Sequence, residues 1–81
     1  MKLYNYNASR NYSGKRIRIA RETLRLSQER LAAKMQLAGL EINQQAISRI
    51  ETGARVIPDY ELPFFADALN VNILWLLEME D

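Results

Sequence analysis

The sequence predicts an all-α fold, a compact bundle of five helices, and three features of the chain support this prediction. Its 81 residues suffice for one domain with a modest core and leave no room for a second lobe. Apolar residues recur at the spacing of helix faces, whereas β-branched residues stand mostly alone. Residues that begin helices and glycines that end them divide the chain into short segments. We therefore expect five short helices and no strand.

The first two helices are predicted from their caps and apolar faces. Ser13 is the expected N-cap of a basic helix that runs to about Leu26. Its apolar face consists of Ile17, Ala20 and Leu24. Ser27 is the expected N-cap of the second helix, Gln28 to about Ala38, which Gly39 ends. The apolar stripe of that helix consists of Leu31, Met35 and Ala38.

The third helix is short and has a thin apolar face. After the connection Leu40-Glu41-Ile42, Asn43 is the expected N-cap of a helix from Gln44 to Thr52, with Gly53 after it. The inward residues are Ala46, Ile47 and Ile50, and the outer ones are Gln44, Gln45, Ser48 and Arg49. A polar outer face of this kind is available to a partner.

Two further helices complete the predicted bundle. Pro58 and Asp59 begin a helix that runs to about Leu69, in which Pro63 is tolerated near the first turn. Its expected buried residues are Leu62, Phe65, Ala66 and Leu69. Asn72 is the expected N-cap of a last helix, Ile73 to about Glu78. In that helix Leu74, Trp75 and Leu77 are expected to face the core or a partner.

Residues 1–12 are rich in Asn and Tyr without a helical or strand period, so we expect an N-terminal arm there and one domain at residues 13–81. The longest apolar run, Ile73 to Leu77, cannot span a membrane, and the N-terminus lacks the apolar region of a signal peptide. We therefore expect a cytoplasmic protein.

The residue types that are missing exclude several kinds of chemistry. Without Cys or His the chain can form no disulfide, zinc finger, cysteine nucleophile or Ser-His-Asp triad. The clustered carboxylates of Glu78, Glu80 and Asp81 lie at a terminus, with no cleft to raise a pKa. We expect no enzyme activity, no cofactor and no metal.

The charge of the chain is strongly polarised, although its formal sum is only +1. Residues 1–38 carry nine Lys and Arg against two Glu, a sum of +7, and residues 59–81 carry six Asp and Glu and no Lys or Arg, a sum of −6. Charges more than a Debye length of about 8 to 10 Å apart are largely screened from each other. The basic half can therefore attract a polyanion, although solvated helix faces would explain the same charges.

Several motifs resemble the Cro and lambda-repressor type helix-turn-helix (XRE) family. They lie in the family's order and cover about Gly14 to Leu77, nearly the whole chain. The motifs are Ser27-Gln28-Glu29-Arg30-Leu31-Ala32, Ala46-Ile47-Ser48-Arg49-Ile50-Glu51-Thr52-Gly53, Ala68-Leu69-Asn70-Val71 and Trp75-Leu76-Leu77. The resemblance implies a DNA-binding domain whose third helix, from Gln44 to Thr52, lies in the major groove.

The resemblance also implies roles for individual residues. In such proteins the Gln that begins the second helix, here Gln28, contacts a phosphate and braces the first residue of the recognition helix, here Gln44. An amide can pair with adenine and a guanidinium with guanine, so the base-reading candidates are Gln44, Gln45, Arg49 and, secondarily, Ser48. The phosphate candidates are Gln28, Arg10, Arg16, Arg18, Arg55 and Asn43, with Lys2 on the arm. An alternative explanation for Gln44 and Gln45 is that they only keep an exposed helix start soluble.

The resemblance implies one structural ion pair, and the sequence departs from the family pattern in one spacing. Arg21 and Glu51 occupy positions that in many relatives tie the first helix to the recognition helix. Leu31 and Ile47 lie 16 positions apart, five more than in the compact family pattern. We expect three of the extra residues to lengthen the second helix and two to lengthen the connection. Leu40 or Ile42 would then have to pack into the core for the recognition helix to be presented correctly.

The predicted function is sequence-specific binding of a double-stranded DNA operator by a transcriptional regulator, a repressor of prokaryotic or phage origin without an evident small-molecule effector. Because one recognition helix makes few base contacts, we expect a homodimer on two half-sites. The candidate interface is the segment from Ile73 to Asp81, with Leu76 as the main contact and Ile73 and Trp75 beside it. The alternatives are an antitoxin or restriction-controller type autoregulator, and a protein-interaction module that retains the fold.

Overall fold

The structure, a computed structural model, describes residues 9–81. These residues form five α-helices and no β-strand, which confirms the predicted all-α class and number of helices. In chain order the helices are α1 (Gly14–Thr23), α2 (Gln28–Leu37), α3 (Gln44–Glu51), α4 (Leu62–Leu69) and α5 (Ile73–Leu76). A 3-10 turn at Asp59–Glu61 precedes α4. Within this part of the chain no helix is long and apolar enough to cross a membrane.

Three of the predicted N-caps are confirmed. In each, the side-chain oxygen of the cap accepts a hydrogen bond from a backbone N–H in the first turn, which satisfies a donor that has no partner within the helix. Ser27 accepts from Arg30 at 3.0 Å, Asn43 from Ala46 at 2.8 Å and Asn72 from Leu74 at 2.8 Å. The starts of α2, α3 and α5 are thus set by local sequence.

The prediction that Ser13 caps α1 through its side chain is wrong. Ser13 precedes the helix, but its side chain makes no capping hydrogen bond. Instead the Oδ1 atom of Asn11 accepts from the backbone N–H of Gly14 at 2.7 Å. The start of α1 is therefore fixed by a residue of the predicted arm, of which residues 1–8 lie outside the described part of the chain.

All five helices end in the same way. A residue just past the helix adopts a positive φ, and the next backbone N–H donates to a carbonyl five residues earlier, as in a Schellman motif. Gly39 and Gly53 supply this conformation after α2 and α3, as predicted. After α1 it is supplied by Arg25, whose φ is 57°. The first helix therefore ends at Thr23 and not near Leu26.

All five helices contribute side chains to the core. The largest fully buried side chains are Ile17, Leu31, Met35, Ile47, Ile50, Phe65, Leu69 and Leu76. Some predicted core positions are wrong: Leu24 is 44% exposed because it already caps α1, and Ala38 is exposed because it caps α2. Leu62 and Ala66 are only half-buried, while Ala32 and Ala68 are buried in addition to the predicted residues.

The last helix presents a different face from the one predicted. Leu76 is fully buried in the core, whereas Leu74 is 40% exposed and Trp75 is half-buried. With only four residues α5 makes about one turn, so its sequence contains no repeat from which a face could be identified. The prediction of Leu76 as the main dimer contact is wrong, because its side chain has no surface left for a partner.

The lengthened connection between α2 and α3 is anchored to the core. Leu40 is 9% exposed and Ile42 is 5% exposed, so both side chains pack into the core, where the sequence required at least one of them. In addition, the side-chain amide of Gln36 donates to the carbonyl oxygen of Ile42 at 2.6 Å. These contacts fix the connection that leads into α3, despite its extra residues.

Candidate nucleic-acid interface

The outer face of α3 carries the residues that sequence analysis selected as a reading surface. Gln44, Gln45 and Arg49 are exposed, and Ser48 is half-buried beside them. On the opposite face Ile47 and Ile50 are fully buried, so this short helix is anchored by its apolar side and presents its amides and guanidinium on the outer side. The structure thus brings all four predicted residues onto one surface.

A polar network joins this surface to α1 and α2. The guanidinium of Arg21 contacts both carboxylate oxygens of Glu51, with Nε to Oε2 at 2.6 Å and Nη2 to Oε1 at 3.0 Å. The amide nitrogen of Gln28 donates to the same Oε1 at 3.0 Å. The amide nitrogen of Gln44 donates to Oε1 of Gln28 at 2.6 Å. These hydrogen bonds therefore connect α1 to the end of α3, the end of α3 to the start of α2, and the start of α2 to the start of α3.

The ion pair in this network is nearly removed from solvent. The side chain of Glu51 is 2% exposed and that of Arg21 is 12% exposed. The hydrogen bond to Glu51 is the main cause that raises the pKa of Arg21 above its ordinary value, against the opposing effect of burial. Arg21 also donates to the carbonyl oxygen of Leu26 at 2.7 Å, in the turn before α2. The pair therefore holds α1, α3 and the intervening turn in one arrangement.

Gln28 retains a donor for an outside group. Its Nε2 atom carries two hydrogens and donates one of them to the carboxylate of Glu51. The side chain is half-buried at the first residue of α2, where the backbone N–H groups and the helix dipole also favour an anion. The brace to Gln44 and a contact to a phosphate can therefore exist together.

The other residues predicted to contact phosphate differ in their exposure and in the contacts that they already make within the protein. Arg10 and Asn43 are exposed, although the Oδ1 atom of Asn43 is used as the cap of α3. Arg18 is 58% exposed in its side chain and lies 3.3 Å from the carboxylate of Glu22 one turn later. Pairs as exposed as this contribute little to stability, so Arg18 can turn to another anion at small cost. Lys2 lies outside the described residues.

Arg55 is engaged inside the protein, contrary to its prediction as a free phosphate contact. Its guanidinium contacts both oxygens of Glu61 at 2.8 and 3.1 Å, and the side chain of Glu61 is only 3% exposed. This hydrogen-bonded contact raises the pKa of Arg55 above its ordinary value. A buried carboxylate needs its cation, so Arg55 supports the loop after α3, and its prediction as a phosphate contact is not supported by this geometry.

Arg16 is likewise engaged, in this case by the end of the chain. Its Nη1 atom donates to the carbonyl oxygen of Trp75 at 2.7 Å and to that of Glu80 at 3.1 Å. The guanidinium carbon lies 4.9 Å from the centroid of the Trp75 ring, within the range of a cation–π contact. Arg16 therefore fastens the C-terminal segment to α1, and its prediction as a phosphate contact is not supported by this geometry.

Sequence reasoning missed the partners of Arg16, Arg55 and Asn11. The amide of Asn11 donates to the backbone carbonyls of residues 50 and 55, which lie 39 and 44 positions away. No local sequence pattern predicts a contact between residues so far apart. The Arg55–Glu61 pair, in contrast, is separated by only six positions. A carboxylate this close in sequence to an Arg in a loop could have indicated an ion pair.

The outer face of α3 offers hydrogen-bond recognition. A helix of this width fits the major groove of B-form DNA, where amide and guanidinium groups pair with the edges of adenine and guanine. The exposed residues of α3 have these two chemistries, and the braced frame around them limits their movement. The surface is therefore suited to reading an ordered pattern of donors and acceptors.

Comparison with protein families identifies the same region of the chain. The model of the helix-turn-helix family matches residues 17–76, which is 60 of the 81 residues, and this segment extends from within α1 to the end of α5. The matched segment contains the whole polar network and the outer face of α3. A comparison with curated proteins gave no significant match.

Proposed function

Because this chain belongs to the XRE-type, lambda-repressor-like helix-turn-helix family of DNA-binding regulators, we propose that it is a sequence-specific repressor that reads the major groove with α3. The observation that carries this proposal is the outer face of α3, where Gln44, Gln45 and Arg49 are exposed on a helix whose other face is fully buried. No enzymatic step is part of the proposed function.

Base recognition is assigned to the exposed residues of α3. The amide of Gln45 can offer a donor and an acceptor to N7 and N6 of adenine, and the guanidinium of Arg49 can donate to O6 and N7 of guanine. Gln44 can do the same as Gln45 through its carbonyl oxygen and its second amide hydrogen, since only one hydrogen is used by Gln28. Ser48 lies between them as a secondary contact. Each good bidentate contact discriminates by about 1 to 3 kcal/mol against a wrong base.

Phosphate contacts are assigned to Gln28, which is half-buried, and to the exposed residues Asn43, Arg10 and Arg18. These contacts would set the register of the protein on the duplex and supply most of the affinity, without reading the sequence. The basic half of the chain would then face the DNA, and the acidic end would face away from it.

A homodimer is assigned to the operator complex because a single α3 reads only a few base pairs. The interface is assigned to the segment from Ile73 to Asp81, with Ile73 and Trp75 as contacts. Both are half-buried, and Leu74 and Met79 in the same segment are 40% and 72% exposed. Ile73→Glu, followed by measurement of mass in solution with operator DNA, tests this assignment, which predicts a dimer for the wild-type chain and a monomer for the variant.

Selection from a pool of randomised duplexes tests the proposed function. We expect the chain to enrich one sequence, and we expect Gln44→Ala and Arg49→Ala each to relax the preference at different base pairs while retaining most of the nonspecific affinity. Arg25→Ala is the matched control for Arg49→Ala, because it removes the same charge from an exposed residue outside α3. Enrichment of no sequence, or unchanged preferences in both α3 variants, would contradict the proposal.

A further inference from the structure

The side chain of Asn11 uses all its polar groups to join the beginning of α1 to the end of α3. Its Nδ2 atom donates to the carbonyl oxygen of Ile50 at 2.8 Å and to that of Arg55 at 2.9 Å. Its Oδ1 atom accepts from the backbone N–H of Gly14 at 2.7 Å. The two carbonyl partners require the nitrogen, and the N–H partner requires the oxygen, so the orientation of the amide is fixed by its neighbours.

The backbone around Asn11 approaches α3 closely. A Cβ atom on Gly14 would overlap the carbonyl oxygen of Ile50, and one on Gly53 would overlap the side chain of Ser9. The backbone N–H of Arg10 also donates to the carbonyl oxygen of Gly53 at 2.7 Å. Residues 9–14 therefore lie directly against the last turn of α3, and glycine at two positions permits this distance.

The ends of α3 are held by different groups. Its first turn is held by Asn43 and by the brace between Gln28 and Gln44. Its last turn is held through the carboxylate of Glu51 on one side and through the carbonyl of Ile50 on the other. An eight-residue helix is about 12 Å long, so a small displacement at one end tilts every exposed side chain of its outer face.

We propose that Asn11 is a positioning residue for sequence recognition: by holding the last turn of α3 against the start of α1, it sets the angle at which α3 enters the groove. This inference rests on the proposed function, since it concerns how the reading helix is oriented. Asn11 itself need not touch DNA. Loss of its two donated hydrogen bonds lets the last turn of α3 move, so the paired contacts of Arg49 and Gln45 no longer meet base edges in register.

Two substitutions of Asn11 separate positioning from simple capping of α1. Asn11→Asp keeps an oxygen for the N–H of Gly14, and aspartate is as good as asparagine at a helix start, but it can donate to neither carbonyl. Asn11→Ala removes all three contacts without adding a charge. If Asn11 only begins α1, the aspartate variant behaves as the wild type; if it positions α3, both variants lose sequence discrimination.

The experiment measures the ratio of dissociation constants for the selected duplex and for a duplex altered at the base pairs that Arg49 reads. Asn72→Asp is the matched control, because Asn72 caps α5 through a single bond to Leu74 and receives the same charge. We expect the ratio to fall about tenfold in both Asn11 variants, as for the loss of one good base contact, and to remain unchanged in Asn72→Asp.

The measurement is made below the unfolding temperature of every variant, determined by circular dichroism. If a variant does not fold, Asn11→Ser replaces it and the same comparison applies. A ratio within twofold of the wild type for Asn11→Asp or Asn11→Ala, or for Asn11→Ser where it replaces one of them, would overturn the inference while leaving the proposed function intact. A wild-type chain that selects no duplex at all would overturn the proposed function, and the inference with it.

Discussion

Substitution of Arg21 by Ala is expected to destabilise the protein by about 3 kcal/mol. The variant leaves the carboxylate of Glu51, whose side chain is 2% exposed, with the amide of Gln28 at 3.0 Å as its remaining partner. Breaking a buried ion pair from one side costs about 3 to 5 kcal/mol, because the remaining charge has lost both its partner and its water. We take the lower end, since the 12% exposure of Arg21 lets water enter the space it leaves.

This loss is large compared with the stability of such a chain. At about 0.05 to 0.15 kcal/mol per residue, 81 residues give roughly 4 to 12 kcal/mol of unfolding free energy. Urea unfolding followed by the fluorescence of Trp75 and by circular dichroism measures the change as a shift in midpoint at constant slope. The double variant Arg21→Met, Glu51→Leu is the matched control, because it removes both charges and keeps similar volumes.

The double variant is expected to be more stable than Arg21→Ala, since apolar residues that replace both partners of a buried pair are often neutral or stabilising. If Arg21→Ala lost less than about 0.5 kcal/mol, which is the scale of an exposed pair, the pair would not be the buried connection that its geometry indicates. An equal or greater loss in the double variant would also refute the argument, because it would show that the uncompensated charge is not the cause.

Two further predictions concern residues whose roles in the structure differ from those predicted from the sequence. Leu76→Ala is expected to lower the unfolding free energy by about 2 to 5 kcal/mol, because it empties a fully buried site; a loss under about 1 kcal/mol in urea unfolding would contradict its place in the core. The second prediction is a pH dependence. The pKa of Arg55 is raised mainly by its hydrogen bond to Glu61, so the stability this pair contributes is complete below the unfolded pKa of the guanidinium and is lost only above it. The lysine of Arg55→Lys has an ordinary pKa of about 10.4, so the stability contributed by its pair with Glu61 should disappear as the pH rises above about 10 to 11. The difference in unfolding free energy between this variant and the wild type should therefore widen between pH 8 and pH 11. A constant difference over that interval would show that the pair is not the source of the stability.

Local sequence was enough to predict the elements whose ends depend on neighbouring residues. Ser27 and Asn43 bond to N–H groups three positions later, and Gly39 and Gly53 supply conformations that other residues adopt only at some cost. Family resemblance added the contact between Gln28 and Gln44 and the pair of Arg21 with Glu51, both of which the structure contains.

The errors arose where a residue's partner is distant or its helix is too short to have a period. Leu76 lies in a helix of one turn, so its direction is decided by how that turn packs and not by a repeat. Arg16 was counted as a free cation because its acceptors are backbone carbonyls 59 and 64 positions later. Asn11 falls within the predicted N-terminal arm because its carbonyl partners lie 39 and 44 positions later.

The most direct test of the proposed function is a titration of the selected duplex at several salt concentrations, with the wild type and Arg49→Ala compared on the selected site and on one altered at the base pairs that Arg49 reads. We expect steep weakening with salt for both proteins, since both keep their phosphate contacts, and a loss of discrimination only in Arg49→Ala. Binding of the wild type that does not depend on sequence, or equal discrimination by the two proteins, would contradict the claim that α3 reads the operator.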